Sequence, residues 1–527
     1  MADKQLLNPH LGSENPIQKI NWDAARIEEK HRIAVVRCHV GDPKAPQHEP
    51  TNQVVAEYML NRSADPNSRG YQKDVAGDIE VRNQIANAIN VINRLDEKDH
   101  INYANVIGVT GGTGALNVGL TMFDHPVVLA PDPYYPPWNN ISDITGTKLE
   151  TYDMRAEDNY LLNFDLLDKR LEKASKDHPD QPLILLYHYP NNPSGKTLNE
   201  AEARQVAGTL SKLAAKYPKL HLLQEDLYLA TTAPEMGLYT PLPYLSDEAK
   251  MKTIWLNSPS KMGHAQDRGA IICAYDKDLL DKARNAVSLK ILGTSTPALM
   301  LTAETLKHIA LGGVDAIDAP GSDPNNYRFT TAKYYQDRMK IVSKGLQHLE
   351  RKLDTHILDA TNEKTADSSE KTPKGTYYLF PDFKFLQGKK VPEELRQAVG
   401  KETFENGMDI TNALLNAHEI GLRPVTVVPG TLFTKDPSTM RVRFATIEEN
   451  QDKLFDAVNT VWGLAEKTLG VKLGAEFRTT EQLIADGAPE KPIPKSTKID
   501  GVDHPGYFTR EVMKVTPAQP GSNRGKQ

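Results

Sequence analysis

The stretch Asn257–Gly269, NSPSKMGHAQDRG, decides how the chain reads. It holds Lys261, with Ser258 and Ser260 just before it and Arg268 seven positions after it. The apolar run MKTIWL leads in and AIICA leads out, so the lysine is expected in a loop between two strands, with the arginine where the second strand begins. A lysine whose surroundings lower its pKa can form a Schiff base with a carbonyl compound. Nearby hydroxyls and a guanidinium can hold a dianionic phosphate.

An aldehyde cofactor with a phosphate handle, pyridoxal phosphate, unites these features. A lysine beside serines is more often an ordinary solvated loop, so the stretch needs support from elsewhere. The Ser258-x-x-Lys261 spacing also fits the S-x-x-K of penicillin-binding enzymes, but the S-D-N and K-T-G strings which that chemistry requires do not occur.

Outward from the lysine, the chain alternates strand and helix. Val106–Leu120, VIGVTGGTGALNVGL, runs from a short apolar strand through glycines into a small-residue helix. Bare N–H groups at such a helix start attract anions, and glycines let a phosphate approach. The third glycine of G-x-G-x-x-G is replaced by Asn117, which sets aside a dinucleotide fingerprint. PVVLA leads to the loop PDPYYPPW (131–138), whose aromatics can stack on a flat ring or simply sit in a proline-rich turn. LILLY (183–187) reads as a buried strand ending in HYPNNPSGKT. Pro190 stands where a P-loop needs its first glycine, so ATP binding is excluded there. Asn192 lies at a strand's carboxyl end, where open α/β sheets bind ligands, and can offer its amide to a ring hydroxyl.

HLLQEDLY (221–228) ends in Glu225, Asp226 and Tyr228, and a carboxylate there can keep a pyridine nitrogen protonated. Upstream, IAVVRCHVGDP reads as a strand ending in a turn at Gly41, whose backbone can approach a ligand. Helices are predicted with Ile85, Ile89 and Ile92 on one face, over about 199–216 with Val206, Leu210, Leu213 and Tyr217, and over Asp452–Leu469. YYLF and RVRFAT read as strands of a second, smaller region.

The 527 residues carry 63 Lys and Arg against 69 Asp and Glu, a formal charge of −6, which gives no support to nucleic-acid or membrane-surface binding. The two cysteines, Cys38 and Cys273, sit in apolar stretches and read as buried free thiols of a cytoplasmic protein. No apolar run approaches the roughly 18 residues a membrane span needs. No metal site is read from the sequence.

In order, these segments resemble the fold-type I, aspartate-aminotransferase-like (class I/II) family of pyridoxal-phosphate enzymes, over about residues 30–470. Gly112-Thr113-Gly114-Ala115-Leu116 is similar to the family's phosphate-cradling turn, and Tyr135 falls at the ring-stacking aromatic, with Tyr134 and Trp138 as rivals. Asn192-Pro193-Ser194-Gly195 matches N-P-[TS]-G, Ser258-x-x-Lys261 the Schiff-base motif, and Arg268 the phosphate-binding arginine. RVRFAT matches the strand whose first arginine, Arg441, would pair with a substrate α-carboxylate.

Tyr71 resembles the tyrosine that reaches the partner subunit's phosphate, implying a homodimer with shared sites. The family's D-x-x-Y spacing puts Glu225 at the acid position and Asp226 one residue late; Asp226 is preferred because a glutamate reaches further. The gap from lysine to arginine is one residue shorter than usual, and Gly263-His264-Ala265 is similar to the G-H-A of the alliinase and tryptophan-aminotransferase branch.

The resemblance implies an α/β fold: a large domain (51–330) with a mostly parallel, seven-stranded-type sheet between helices, and a smaller α+β domain (331–473). Residues 1–50 would form an arm and part of the small domain, and 474–527 a loosely ordered tail. It also implies transamination between an L-amino acid and a 2-oxo acid through a Lys261 Schiff base. The site would hold Lys261, Gly112, Thr113, Gly114, Tyr135, Asn192, Asp226, Tyr228, Ser258, Ser260, Arg268 and Tyr71 around the cofactor, with Gly41, Asn192 and Arg441 on the substrate. A lyase or decarboxylase on the same scaffold shares every cofactor contact. Non-catalytic regulators on this fold usually carry a basic DNA-binding module, and none is read in this sequence.

Overall fold

The computed structural model describes residues 16–62, 70–318, 326–361, 371–473, 496–499 and 502–505. The chain divides into two compact units, Met1–Glu490 and Lys491–Gln527.

A seven-stranded sheet organises the first unit. Its strands are β1 (Val106–Thr110), β2 (Val127–Asp132), β3 (Lys148–Asp153), β4 (Leu183–Tyr187), β5 (Leu220–Glu225), β6 (Thr253–Asn257) and β7 (Gly269–Ala274). Their order is β1-β7-β6-β5-β4-β2-β3. Only β7 runs antiparallel to its neighbours, β1 and β6. All five residues of β4 are buried because helices cover both faces, which is why its sequence is continuously apolar.

Two cores flank the sheet. One contains Ile89, Leu222, Trp255 and Cys273 and the other Leu116, Trp138, Leu223 and Ile254. Leu222 and Leu223 thus point to opposite faces, as successive strand residues must. The helices Ile79–Ile92, Glu200–Lys216 and Gln451–Leu469 bury the apolar faces that periodicity assigned to them. Asn199 and Glu202 form a capping box that fixes the start of the second of these helices.

Two elements differ from the sequence reading. The helix Pro137–Thr145 begins inside the proline-rich loop, with proline at its first position, where a missing N–H costs nothing. Edge strand β3, KLETYD, buries only Thr151 and Tyr152 and so carries no apolar signature.

A third core gathers Val36, Cys38, Met339, Leu379, Phe444 and Trp462. It holds an antiparallel set of Val428–Pro429, Val442–Ala445 and Tyr378–Leu379. The pair Val36–Arg37 and Val425–Thr426 runs parallel beside it. The helix Tyr327–Leu353 runs unbroken through position 331, with Tyr327 in the first core and Met339 in the third. Cys38 and Cys273 are both free and buried. No helix of the described residues is long and apolar enough to cross a membrane.

Of the second unit, Ser496–Ile499 and Val502–Pro505 are described, and they pair antiparallel with Ser496 opposite Pro505. The composition there predicted no element, although Asp500-Gly501 between them is a strong hairpin signal. The rest of the expected tail, and residues 1–15 of the expected arm, lie outside the described residues.

Candidate active site

The loop after β6 opens with a short 3₁₀ turn, Pro259–Lys261. Ser258 caps it, accepting from the Ser260 amide at 3.2 Å and donating to the Gly269 carbonyl at 2.7 Å. Its hydroxyl also lies 2.7 Å from that of Ser260. The donor of that contact is Ser260, because the single Ser258 hydrogen is already used. The serines thus tie the ends of β6 and β7 together and fix the turn that carries half-buried Lys261. Lys261 Nζ donates to the Gly41 carbonyl at 3.3 Å and lies 5.3 Å from the centre of the Tyr228 ring.

Arg268 meets the helix Gly111–Thr121 at its start. A Cβ on Gly111 would come within 1.9 Å of Arg268 Nη2, and Gly111 has φ +68°, so the position suits glycine alone. The preceding Thr110 makes no side-chain cap, which leaves the first amides of the helix for a ligand. A guanidinium laid against bare helix amides suits a phosphate. Gly112 packs instead against Leu227, and Thr113 is exposed. Gly111, outside the 112–114 string singled out from sequence, faces the arginine.

The two carboxyls ending β5 go to opposite faces. Glu225 follows Leu223 toward the Trp138 side, where Lys261 draws its carboxyl down against burial, which lifts it to about 7; the Asp226 charge adds to the lift. Trp138 Nε1 is buried without a formed hydrogen bond, yet close enough to favour the Glu225 anion. Asp226 turns to the other face, where Gln224 Nε2 donates to it at 2.7 Å. There it lines a cavity with Ile92, Leu238 and Ile309, and burial pushes it up to about 7. Glu225, and not the preferred Asp226, therefore shares the space of Lys261, because strand alternation separates neighbours.

The arginines of RVRFAT also separate. Arg441 Nη1 lies 2.7 Å from Asp359 and donates to the Phe380 carbonyl at 2.9 Å, and its Nη2 lies 3.8 Å from Asp382. Burial works to raise the Asp359 carboxyl, but Arg441, Tyr160 and His356 hold it below the usual carboxylate range. Arg441 is thus engaged away from the lysine. Arg443 donates from Nη1 to Asn192 Oδ1 at 3.2 Å and from Nη2 to the His39 carbonyl at 2.7 Å. Its guanidinium stacks 4.2 Å from the centre of the Tyr378 ring. It is 2% exposed, its Nε has no hydrogen-bond partner, and it pairs with no carboxylate among the described residues.

Tyr135 stands within electrostatic reach of these groups. Burial raises its hydroxyl to about 12, Tyr378 and Glu225 add to the rise, and Arg443 and Arg268 oppose it. It feels the acid and both arginines at once. Trp138 stands edge-on to it at 6.3 Å between ring centres. Lysine, acid, buried arginine, asparagine and an anion-ready helix start converge at the carboxyl ends of a doubly wound sheet, its ligand edge.

Comparison with known proteins gives this constellation its class. The family model described as aminotransferase class I and II matches residues 34–458. The chain belongs to that family. An aspartate aminotransferase from Pyrococcus horikoshii is 22% identical to this aminotransferase over 63% of the chain and 68% of the relative. An inactive alanine aminotransferase from Saccharomyces cerevisiae is also 22% identical, over 60% of the chain and 57% of the relative. Among solved structures, the aspartate aminotransferase from Rhizobium meliloti superposes with a TM-score of 0.68 at 19% identity, covering 88% of this chain and 99% of that one. The Thermus thermophilus aspartate aminotransferase with maleate gives 0.64 at 17%, covering 86% and 98%. At such identities the structures speak for the fold.

Of the remaining candidates in the aminotransferase, Gly41 and Tyr228 lie beside Lys261 and Tyr71 does not. Gly41 abuts Tyr378, whose hydroxyl a Cβ would meet at 1.7 Å, and its carbonyl receives Lys261 and, at 3.0 Å, the Tyr377 hydroxyl. Tyr228 meets the Tyr378 hydroxyl at 3.0 Å. Tyr71 is 87% exposed, clear of this pocket. Sequence reading missed Arg443, Tyr378 and His188, whose Nε2 accepts from the Asn192 amide at 2.9 Å. The signal for Arg443 was present, since it lies two residues along the same strand from the arginine chosen.

Proposed function

We propose that this aminotransferase holds pyridoxal 5'-phosphate at Lys261 as a Schiff base and moves an amino group between an L-amino acid and a 2-oxo acid. The observation that carries the reading is Arg443. A buried guanidinium with no carboxylate beside it among the described residues is costly unless an anion joins it, and an α-carboxylate would do so through a two-pronged contact. The carboxylate role is accordingly given to Arg443.

Around the cofactor, Arg268 and the amides at the start of Gly111–Thr121 would hold the phosphate. Asn192, with Oδ1 committed to Arg443, keeps its Nδ2 for the ring hydroxyl. Tyr135 or Trp138 would cover the ring, and Glu225 would face its nitrogen. Burial leaves the Glu225 carboxyl at about 7, so a cation placed against it completes its ionisation. When bound, the cofactor supplies an electron-withdrawing ring that lets the substrate Cα release its proton. Once the incoming amino acid has displaced it from the cofactor aldehyde, the freed Lys261 amine would be the base that takes that proton, and the Gly41 carbonyl and Tyr228 ring keep it within reach. Buried aromatic walls from Tyr228, Tyr377 and Tyr378 keep water from the reacting carbon.

The working unit in this reading is a homodimer in the cytoplasm. Exposed Tyr71 is free to serve a partner's phosphate, and two unpaired thiols suit a reducing compartment. The test is Lys261→Ala. It is expected to lower transamination by roughly 10⁴-fold and to remove the Schiff-base absorbance. Undiminished turnover with unchanged absorbance would refute the role of Lys261. Equimolar keto acid and amino acid as products distinguish transamination from elimination or decarboxylation.

A further inference from the structure

A second cluster lies well away from Lys261 in sequence and shares none of the pocket's residues. His31 ends the helix Pro16–His31, and His418 and Glu419 belong to the 3₁₀ turn Ala417–Ile420. One ligand atom from each of the three lies within 4.8 Å of the other two. We propose that His31, His418 and Glu419 bind one divalent cation of the zinc class, which staples the N-terminal helix to this turn.

Four observations support the site. First, both ring nitrogens of His418 are buried without a hydrogen-bond partner, and its Nε2 stands 3.2 Å from Glu419 Oε1. Nε2 thus has the carboxylate beside it, whereas Nδ1 is left with no partner, and a metal bond would satisfy it. Second, the Glu419 carboxylate is half exposed and shares the 3₁₀ turn with His418, so it can turn to join both rings on one ion. Third, the His31 and His418 rings lie 4.3 Å apart at 54°, so neither stacks flat on the other. Zinc bonds of about 2.0–2.1 Å put tetrahedral ligand atoms about 3.4 Å apart. Small side-chain rotations, chiefly of half-exposed Glu419, close the remaining distance. Fourth, His31 is in the last turn of its helix, where the carbonyl ends favour a cation.

Two imidazoles and a carboxylate with a fourth place left for water make a borderline-metal set rather than a calcium or magnesium one. The metal would add to the apolar anchorage of this helix, where Ala24 packs with Val35 and Leu415, Ile27 lies beside them, and Ile17 meets the cluster of Phe380, Val428 and Phe433. The chain then continues from His31 to the His39 and Gly41 carbonyls, which receive Arg443 and Lys261. The metal would therefore steady one wall of the active site without touching substrate.

The experiment uses the untagged full-length chain, loaded with zinc at micromolar concentration and dialysed against metal-free buffer. One zinc per chain is expected, and with cobalt the intense visible bands of a four-coordinate ion. His31→Gln and His418→Gln should each lose the bound metal and the cobalt bands, and Glu419→Gln should weaken both, while far-ultraviolet dichroism stays unchanged. Wild-type protein that retains no zinc, or histidine variants that retain as much as wild type, would overturn the site. The cobalt spectrum tests coordination on the wild-type protein alone, should a variant misfold.

Discussion

Arg441 and Arg443 leave the same face of one short strand, two residues apart, and meet opposite electrostatic fates. Arg441 lies against Asp359 and Asp382, so its charge is met within the protein. Arg443 is buried deeper, and among the described residues its hydrogen bonds go to neutral oxygens, of Asn192 and His39. Among the described residues the first arginine is a completed ion pair and the second an incomplete one. A site for an anionic substrate is marked by a cation the fold has buried and not neutralised, more than by the presence of a cation. Replacing each by leucine breaks the comparison most directly. Arg443→Leu should lower kcat/KM for the amino acid by about 10³-fold, since a buried charge contact is lost. Arg441→Leu should leave kcat/KM within about threefold but cost about 3 kcal/mol of stability, because Asp359 stays buried without its partner. Steady-state kinetics and denaturant unfolding on both variants read the two effects. Equal kinetic losses would erase the distinction.

Glu225 and Asp226 repeat the contrast at the end of β5. They are adjacent in sequence and equally hidden, yet one faces Lys261 and the other Gln224. Glu225→Gln should slow transamination by about 10²-fold, the range expected when a group that manages a proton is neutralised. Asp226→Asn keeps its contact with Gln224 and should slow it by less than about tenfold. A larger loss from Asp226→Asn would return the acid role to the aspartate.

The sheet was legible because its strands are apolar runs that end in unusual residues, as with LILLY before Asn191-Asn192 and TIWLN before the lysine loop. Periodicity found the helices with one buried face, and order along the chain gathered glycine, asparagine, acid, lysine and arginine into one expected pocket. Two things escaped. One was any element whose burial is partial, such as the β3 edge strand, or whose start is masked by prolines, such as Pro137–Thr145. The other was the choice between near neighbours. Whether 441 or 443 meets the substrate depends on how far the strand advances past Phe380 and Tyr378, a tertiary register that composition does not carry. The choice between 225 and 226 was decidable in principle: Leu222 and Leu223 face different cores, and counting by twos sends Glu225 with Leu223. Reach favours Asp226, whereas direction sets Glu225 on the side of Lys261.

The smallest expected effect concerns pH. Burial lifts Glu225 from an ordinary value of 4.5 and Asp226 from 3.8, each to about 7. In the unfolded chain both lose their protons near the ordinary values. Between roughly pH 4 and pH 7 the folded protein therefore holds more protons than the unfolded one, and its stability falls as pH rises. The protonated carboxyls contribute most below the unfolded pKa, and that contribution is lost through pH 7. Each carboxyl adds a slope of up to about 1.4 kcal/mol per pH unit. Unfolding of the cofactor-free protein, followed from pH 5 to 8, should show this decline, and Glu225→Gln or Asp226→Asn should each flatten it in part. Adding the cofactor should then separate the two. A ring cation against Glu225 favours its anion and removes that share of the slope, whereas Asp226, on the other face, keeps its own. If the cofactor flattened the Glu225→Gln profile as much as the wild-type one, the ring would be titrating against some other group.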